Sequence, residues 1–194
     1  MPSNSTGTPL AGGIVSGGLS SRMGQAKDRI ILPDGHFMIA HPIARLLEIT
    51  AEVVIAGPQL PAPLSRSEQL SYVSDNFSGS GPLSGIEAIL SSGVANGYLI
   101  CACDQPLLTT ALLRELLKAP KTMPCFFETS VIQPFPGYYP ASWLPDIQEA
   151  LRQKRLSLKY LIAEADVKLV KLPADKERII ASFNCPEELS LLNM

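Results

Sequence analysis

Apolar residues are spaced in two ways along this chain, and the alternation between them predicts the elements. Short continuous apolar runs fall at 13–16, 52–56 (E-V-V-I-A), 70–74 (L-S-Y-V-S) and 98–103 (Y-L-I-C-A-C), with further runs at 123–128 and 167–172. Runs of this length, bounded by glycine, proline or polar residues, predict buried strands. Between them, apolar residues three and four apart predict helices over 39–49, 82–90, 109–118, 143–152 and 156–163. Thr109 or Thr110 stands where a helix needs an N-cap, and Pro186 suits the first turn of a final helix. A proline-rich loop at 58–63 follows the second strand.

Continuous apolar strands alternating with helices imply an α/β fold with a mostly parallel sheet covered on both faces. In such sheets ligands bind outside the carboxyl ends of the strands. That rule selects two places here: the loop after Ser16, and Asp104 directly after the fourth predicted strand.

The first place reads G-I-V-S-G-G-L-S-S-R-M-G-Q-A-K over 13–27. Gly17 and Gly18 can adopt backbone angles closed to other residues and let phosphate oxygens approach main-chain N–H groups. Arg22 offers a bidentate fork to phosphate and Lys27 a mobile point charge. The G-x-G-x-x-G dinucleotide fingerprint is absent, and Leu19-Ser20 stand where a Walker loop needs Lys and Ser/Thr. An ordinary strand-to-helix turn with exposed cations is the alternative reading.

The second place is C-A-C-D-Q-P over 101–106. A carboxylate leaving a buried strand can hold Mg²⁺, which prefers oxygen ligands, or it can simply cap a turn. A third segment, Asp75 followed by G-S-G-P-L-S-G over 79–85, can lay a planar base against backbone, or serve only as a connection with Pro82 opening a helix. His36 and His41 flank a loop and a helix start and show no partner in the sequence. With no G-x-S-x-G, Ser20 and Ser21 are not expected to be hydrolase nucleophiles. Tyr138, Tyr139 and Trp143 are read as packing residues.

Composition narrows this picture. The 194 residues are 46% hydrophobic and 18% charged, which implies a packed globule. We expect one domain over 10–194, preceded by a loose tail over 1–9 that lacks the features of a signal peptide. A net charge of −2 gives no general attraction to nucleic acid or anionic membrane. No apolar run approaches the roughly 20 residues that span a bilayer. The four cysteines lack zinc spacing, Cys101 and Cys103 read as core or strand residues, and disulfides are not expected. Cytoplasm is the expected compartment.

Together the segments resemble the molybdenum cofactor guanylyltransferases and their nucleotidyltransferase relatives. The matching landmarks are I-V-S-G-G-L-S-S-R-M-G-Q-A-K, Asp75 before G-P-L-S-G, C-D-Q-P, Gln133-Pro134, and F-N-C-P-E-E-L over 183–189. The first motif belongs to a wide superfamily, whereas G-P-L-S-G and F-N-C-P-E-E-L narrow it to the molybdenum branch.

The resemblance implies a Rossmann-like three-layer α/β/α fold of the nucleotide-diphospho-sugar transferase type. It further implies that Mg²⁺ and GTP bind, that GMP is joined to molybdopterin carrying molybdenum, and that pyrophosphate is released. Proteins of molybdenum insertion and molybdoenzyme delivery are the implied partners. Carried over by motif, Val15, Ser16, Gly17 and Asp75 contact nucleotide, Gly18 shapes the loop, Arg22 and Lys27 neutralise phosphates, and Asp104 binds Mg²⁺. Asn184 falls on the acceptor side.

The sequence departs from the family pattern at Val15-Ser16, where Leu-Ala is common, and at Ala26, where an acidic residue often precedes the lysine. Ala56 replaces a polar residue and Cys185 a threonine. C-D-Q-P also resembles the cytidylyltransferase relatives, so transfer of CMP, or another nucleotidyl transfer to a phosphorylated acceptor, is the alternative activity. A nucleotide-binding assembly protein without catalysis is the alternative of another class.

Overall fold

The computed structural model describes residues 9–16, 29–77 and 79–183. Within them the elements run β1 (Leu10–Val15), α1 (Ala40–Leu47), β2 (Val53–Ala56), β3 (Leu70–Val73), α2 (Pro82–Ser91), β4 (Gly97–Ala102), α3 (Thr110–Leu116), β5 (Cys125–Glu128), β6 (Ile132–Pro140), α4 (Leu144–Arg152), α5 (Leu158–Glu164) and β7 (Lys168–Lys171). Each apolar run expected to be a strand is one, and each expected helix among the described residues is present. Thr109 is the N-cap of α3, accepting from the Leu112 N–H. The final helix expected near Pro186 lies outside the described residues.

The seven strands form one sheet in the order β3-β2-β1-β4-β6-β5-β7. All ladders are parallel except the two made by β6. Side chains alternate across this sheet, as the period of two requires. Tyr98 and Ile100 join Leu83, Ile86, Ile89 and Ile147 on one face, beneath α2, α4 and α5. Leu99 and Cys101 join Ile43, Leu46, Leu112 and Leu113 on the other, beneath α1 and α3. Both faces are therefore covered, which is why these strands read as continuous apolar runs.

The sequence pattern missed β6, I-Q-P-F-P-G-Y-Y-P, because its prolines argue against a central strand. The register explains how Pro134 and Pro136 are tolerated. Phe126 pairs with Gly137 but Phe127 pairs with Gln133, so residues 134–136 lie in an irregularity where the ladder to β5 is interrupted. β4 pairs only with 137–140. Pro134 and Pro136 thus occupy positions from which no ladder N–H is required.

Candidate active site

The carboxyl ends of the four strands β3, β2, β1 and β4 finish level with one another. Val15 is in register with both Ala56 and Ala102, and Ala56 with Val73. The pairing continues one residue beyond each strand. Ser16 N–H donates to Ala56 O at 2.9 Å, Cys103 N–H to Val15 O at 3.2 Å, and Gly57 N–H to Val73 O at 3.2 Å. Neighbouring strands lie about 4.8 Å apart, so the exits of β1 and β4 are one such step apart and those of β3 and β4 three. The fold thereby brings Val15, Ser16, Asp75 and Asp104 to one edge. Gly17, Gly18, Arg22, Lys27 and Asn184 lie outside the described residues.

Ser16 is buried, and Gly57 shows why its position is tightly defined. A Cβ on Gly57 would stand 2.1 Å from the Ser16 carbonyl oxygen, so only glycine lets the second strand turn away against it. On the other side of the sheet's end, the Gly85 Cβ position lies 3.0 Å from Val15 Cγ1. A glycine there allows α2 to pack directly on the last residue of β1.

The G-P-L-S-G segment does more than open a helix. Pro82 begins α2, and Ser84 in its first turn donates through Oγ to Asp75 Oδ2 at 3.0 Å. Asp75 itself is exposed, with its carboxyl presented beyond β3. One turn further along α2, the buried Glu87 accepts from Asn76 Nδ2 at 2.9 Å. Ser84 was legible only as part of a motif. Glu87 left no motif signal, only its place three residues from Ser84 on a helical pattern.

Asp104 is 7% exposed, and its carbonyl accepts from the Phe183 N–H at 2.9 Å. The start of F-N-C-P-E-E-L is thus bonded to the residue that leaves β4. Gln105, beside it, is buried and spends its whole amide on backbone. Its Oε1 accepts from Ala102 N–H at 3.1 Å, and its Nε2 donates to Phe135 O at 2.9 Å and Ile180 O at 2.7 Å. It therefore ties the end of β4 to β6 and to the turn at Ala174–Ile180. These three segments wall a cavity of about 280 Å³ whose lining includes Gln105, Gln133, Phe135, Glu177 and Ser182. Gln133 is steadied there by a bond from its Nε2 to Thr129 Oγ1 at 3.0 Å. Sequence reasoning passed over Gln105 because nothing local says which carbonyls an amide will meet.

The two histidines need a correction. His41 does have a partner: from the first turn of α1 its Nε2 lies 3.2 Å from Oδ2 of Asp34, in the turn that precedes the helix. The His36 N–H bonds the same carboxyl at 3.0 Å and holds its pKa below the usual aspartate value, with the nearby histidine rings adding to the effect. The group closes a turn. Cys101, Cys103 and Cys125 are buried, and burial pushes the thiols of Cys101 and Cys125 to higher pKa. Tyr139 and Trp143 pack against each other and against Phe126, as core residues do. Among the described residues no helix is long and apolar enough to cross a membrane.

The donor set at the strand ends suits a hard cation held jointly with phosphates. Asp104 supplies one largely buried carboxylate, and Mg²⁺ ordinarily takes one or two carboxylates and completes its shell with phosphate oxygens and water. Among the described residues there is no group of three or more His, Cys, Asp or Glu side chains able to form a cage of protein ligands.

The sequence and the fold have known counterparts. Residues 12–168 match the family described as the MobA-like NTP transferase domain. A probable molybdenum cofactor guanylyltransferase of Flavobacterium johnsoniae is 28% identical over 189 residues, covering 93% of this chain and 95% of the relative. Another protein so named, from Halalkalibacterium halodurans, is 30% identical over 191 residues, covering 92% and 95%. Among solved structures, molybdopterin-guanine dinucleotide biosynthesis protein A from Archaeoglobus fulgidus superposes with a TM-score of 0.77 at 19% identity, covering 93% and 95%. The 2-C-methyl-D-erythritol 4-phosphate cytidylyltransferase of Francisella tularensis superposes with a TM-score of 0.74 at 8% identity, covering 96% and 99%; at such identities the likeness is one of fold.

Proposed function

The chain belongs to the family of MobA-like NTP transferases, and we propose that its reaction is the transfer of GMP from GTP to molybdopterin carrying molybdenum. The observation that carries this reading is the juxtaposition of Ser16 and Asp104, on strand ends joined by the Cys103–Val15 hydrogen bond. It sets the start of the glycine-rich segment beside a carboxylate suited to a metal. The motifs G-P-L-S-G and F-N-C-P-E-E-L, and the names of the relatives, support guanylyl transfer within that frame.

In the proposed reaction a terminal phosphate oxygen of the acceptor attacks the α-phosphorus of GTP. A new P–O bond forms there, the bond to the β-phosphate bridging oxygen breaks, and pyrophosphate leaves with the electron pair. The nucleophile is already an anion, so no strong general base is required. Catalysis then consists of alignment and stabilisation of moving charge. Val15, Ser16, Gly17 and Gly18 hold the nucleotide by main chain, and Asp75 contacts it at the far end of the row. Arg22 and Lys27 neutralise the triphosphate. Asp104 holds Mg²⁺, which when bound screens the phosphate charge. We assign the acceptor to the cavity beside Gln105 and Gln133, and Asn184, next in sequence after Phe183, to the same substrate.

The C-D-Q-P segment favours one second reading, transfer of CMP to the same acceptor. Mass spectrometry of products from molybdopterin supplied with a mixture of GTP and CTP decides between them. The guanine dinucleotide with pyrophosphate is the expected outcome. A cytosine product selects the second reading, and tight GTP binding with no product from a competent acceptor selects a binding protein.

A further inference from the structure

Glu87 is a carboxylic side chain buried to 2% exposure in the middle of α2, and the proposed reaction gives it nothing to do. A carboxyl group is costly to bury unless its oxygens are well bonded. Glu87 Oε1 accepts from Ser91 Oγ at 2.8 Å and from Gln148 Nε2 of α4 at 2.9 Å, and Oε2 accepts from Asn76 Nδ2 at 2.9 Å. The first two bonds fasten it within the helical layer. The third reaches out of the layer to the segment that follows β3.

Residues three apart share one face of a helix, so Ser84 and Glu87 stand one above the other. The residues they hold, Asp75 and Asn76, are consecutive and exposed. Two adjacent side chains of one short segment are therefore gripped by two adjacent side chains of one helix. A single hydrogen bond lets the segment swivel; two at this spacing define both its position and its direction. We infer that Glu87 is a positioning residue for the nucleotide, acting through Asn76 to orient the Asp75 carboxyl toward the base or ribose. This rests on the reading of Asp75 as a nucleotide contact.

What matters is a hydrogen-bonding group at the right place, not charge. Glu87→Gln keeps an oxygen for Gln148 and Ser91, and its new NH₂ pairs with Asn76 once that amide turns over. Glu87→Met fills similar volume and offers no acceptor. The test is the dissociation constant of Mg·GTP, measured by calorimetry on the full chain, with the KM for GTP and kcat followed separately. Asp75→Ala is measured first, as the reference.

Glu87→Met and Asn76→Ala are each expected to weaken GTP by about five-fold, the worth of one net hydrogen bond. The double variant is expected to be no weaker than either alone. Glu87→Gln is expected to recover most of the loss, with kcat and the acceptor KM unmoved throughout. Gln148→Ala, which removes the bond to α4 but not the grip on the loop, is expected to lower thermal stability and leave GTP affinity alone. Asn76 is exposed, so its variant reports even where Glu87→Met fails to fold. If Asp75→Ala leaves GTP affinity unchanged, the nucleotide role of Asp75 falls and this inference with it. If Asp75→Ala weakens GTP and Asn76→Ala does not, or if Gln148→Ala weakens it equally, the positioning role alone is overturned.

Discussion

The main-chain N–H of Phe183 donates to the carbonyl of Asp104 at 2.9 Å. Phe183 is itself buried in a small cluster with Ile30, Leu32 and Met38. Phe183 thereby ties the chain just after the turn at Ala174–Ile180 both to the exit of β4 and to residues 30–38. Asp104 thus sits where three distant parts of the sequence meet.

Asp104→Asn keeps the shape of that junction and removes the anion. Divalent-dependent turnover is expected to fall by on the order of 10² to 10³, the usual consequence of losing one preorganised charge contact. Circular dichroism should show an unchanged fold. Full metal-dependent activity in this variant removes Asp104 from the metal site.

Gly57→Ala places a methyl group 2.1 Å from the Ser16 carbonyl oxygen, with backbone on both sides of the clash. Neither partner is a flexible side-chain end, so the exits of β1 and β2 must separate. A loss of about 1–3 kcal/mol is expected from urea unfolding, as for other overpacked sites. Weaker nucleotide binding should accompany it, because Ser16 is displaced. An alanine variant as stable as the parent contradicts this packing.

Gln105→Leu leaves the Phe135 and Ile180 carbonyls and the Ala102 N–H without their amide partner. Each stranded group costs about 1–3 kcal/mol, so calorimetry should record a large fall in melting temperature. Gln105→Glu is expected to be comparably damaging, since a carboxylate faces two carbonyl oxygens where a donor stood. If glutamate is tolerated while leucine is not, volume rather than hydrogen bonding holds this corner.

Asp34→Asn tests the turn before α1. The Asp34 pKa is lowered in the folded state, first by the His36 N–H and then by the charge of His41 and His36. A depressed carboxyl contributes stability that is complete above its unfolded pKa and disappears as pH falls through the folded value. The parent should therefore exceed the variant slightly at neutral pH, and the gap should close well below pH 3.8, the ordinary value. Asp34 is exposed, so the gap is small. Urea midpoints at the two pH values measure it; a gap that widens in acid contradicts the assignment.

Much of the architecture was legible because buried parallel strands must be apolar throughout, and runs such as V-V-I-A and Y-L-I-C-A have no other simple home. The exception, β6, was hidden because its prolines make sense only once the interrupted register with β5 is known. The site divides similarly. The place of Asp104 at a strand exit could be read from the apolar run before it. Ser84 and Gln105 stood inside quoted motifs, but the partners Asp75, Phe135 and Ile180 lie 9 to 75 residues away from them. His41 seemed alone because its partner Asp34 is brought to it by a turn.

By itself, then, the sequence determined the helices and every strand but β6 among the described residues, and which polar groups stand at strand exits, since hydrophobic period and turn chemistry act over a few residues. Only the tertiary structure decided which exits are neighbours. Strand order puts β1 between β2 and β4, so Ser16 meets Gly57 on one side and Cys103 on the other, and Asp75 falls beyond β2 on the same edge. The same packing turned Glu87 and Gln105 from unremarked polar residues into the ties between segments. Hydrogen-bond partners at such separations are chosen by how the layers dock, which no local pattern encodes.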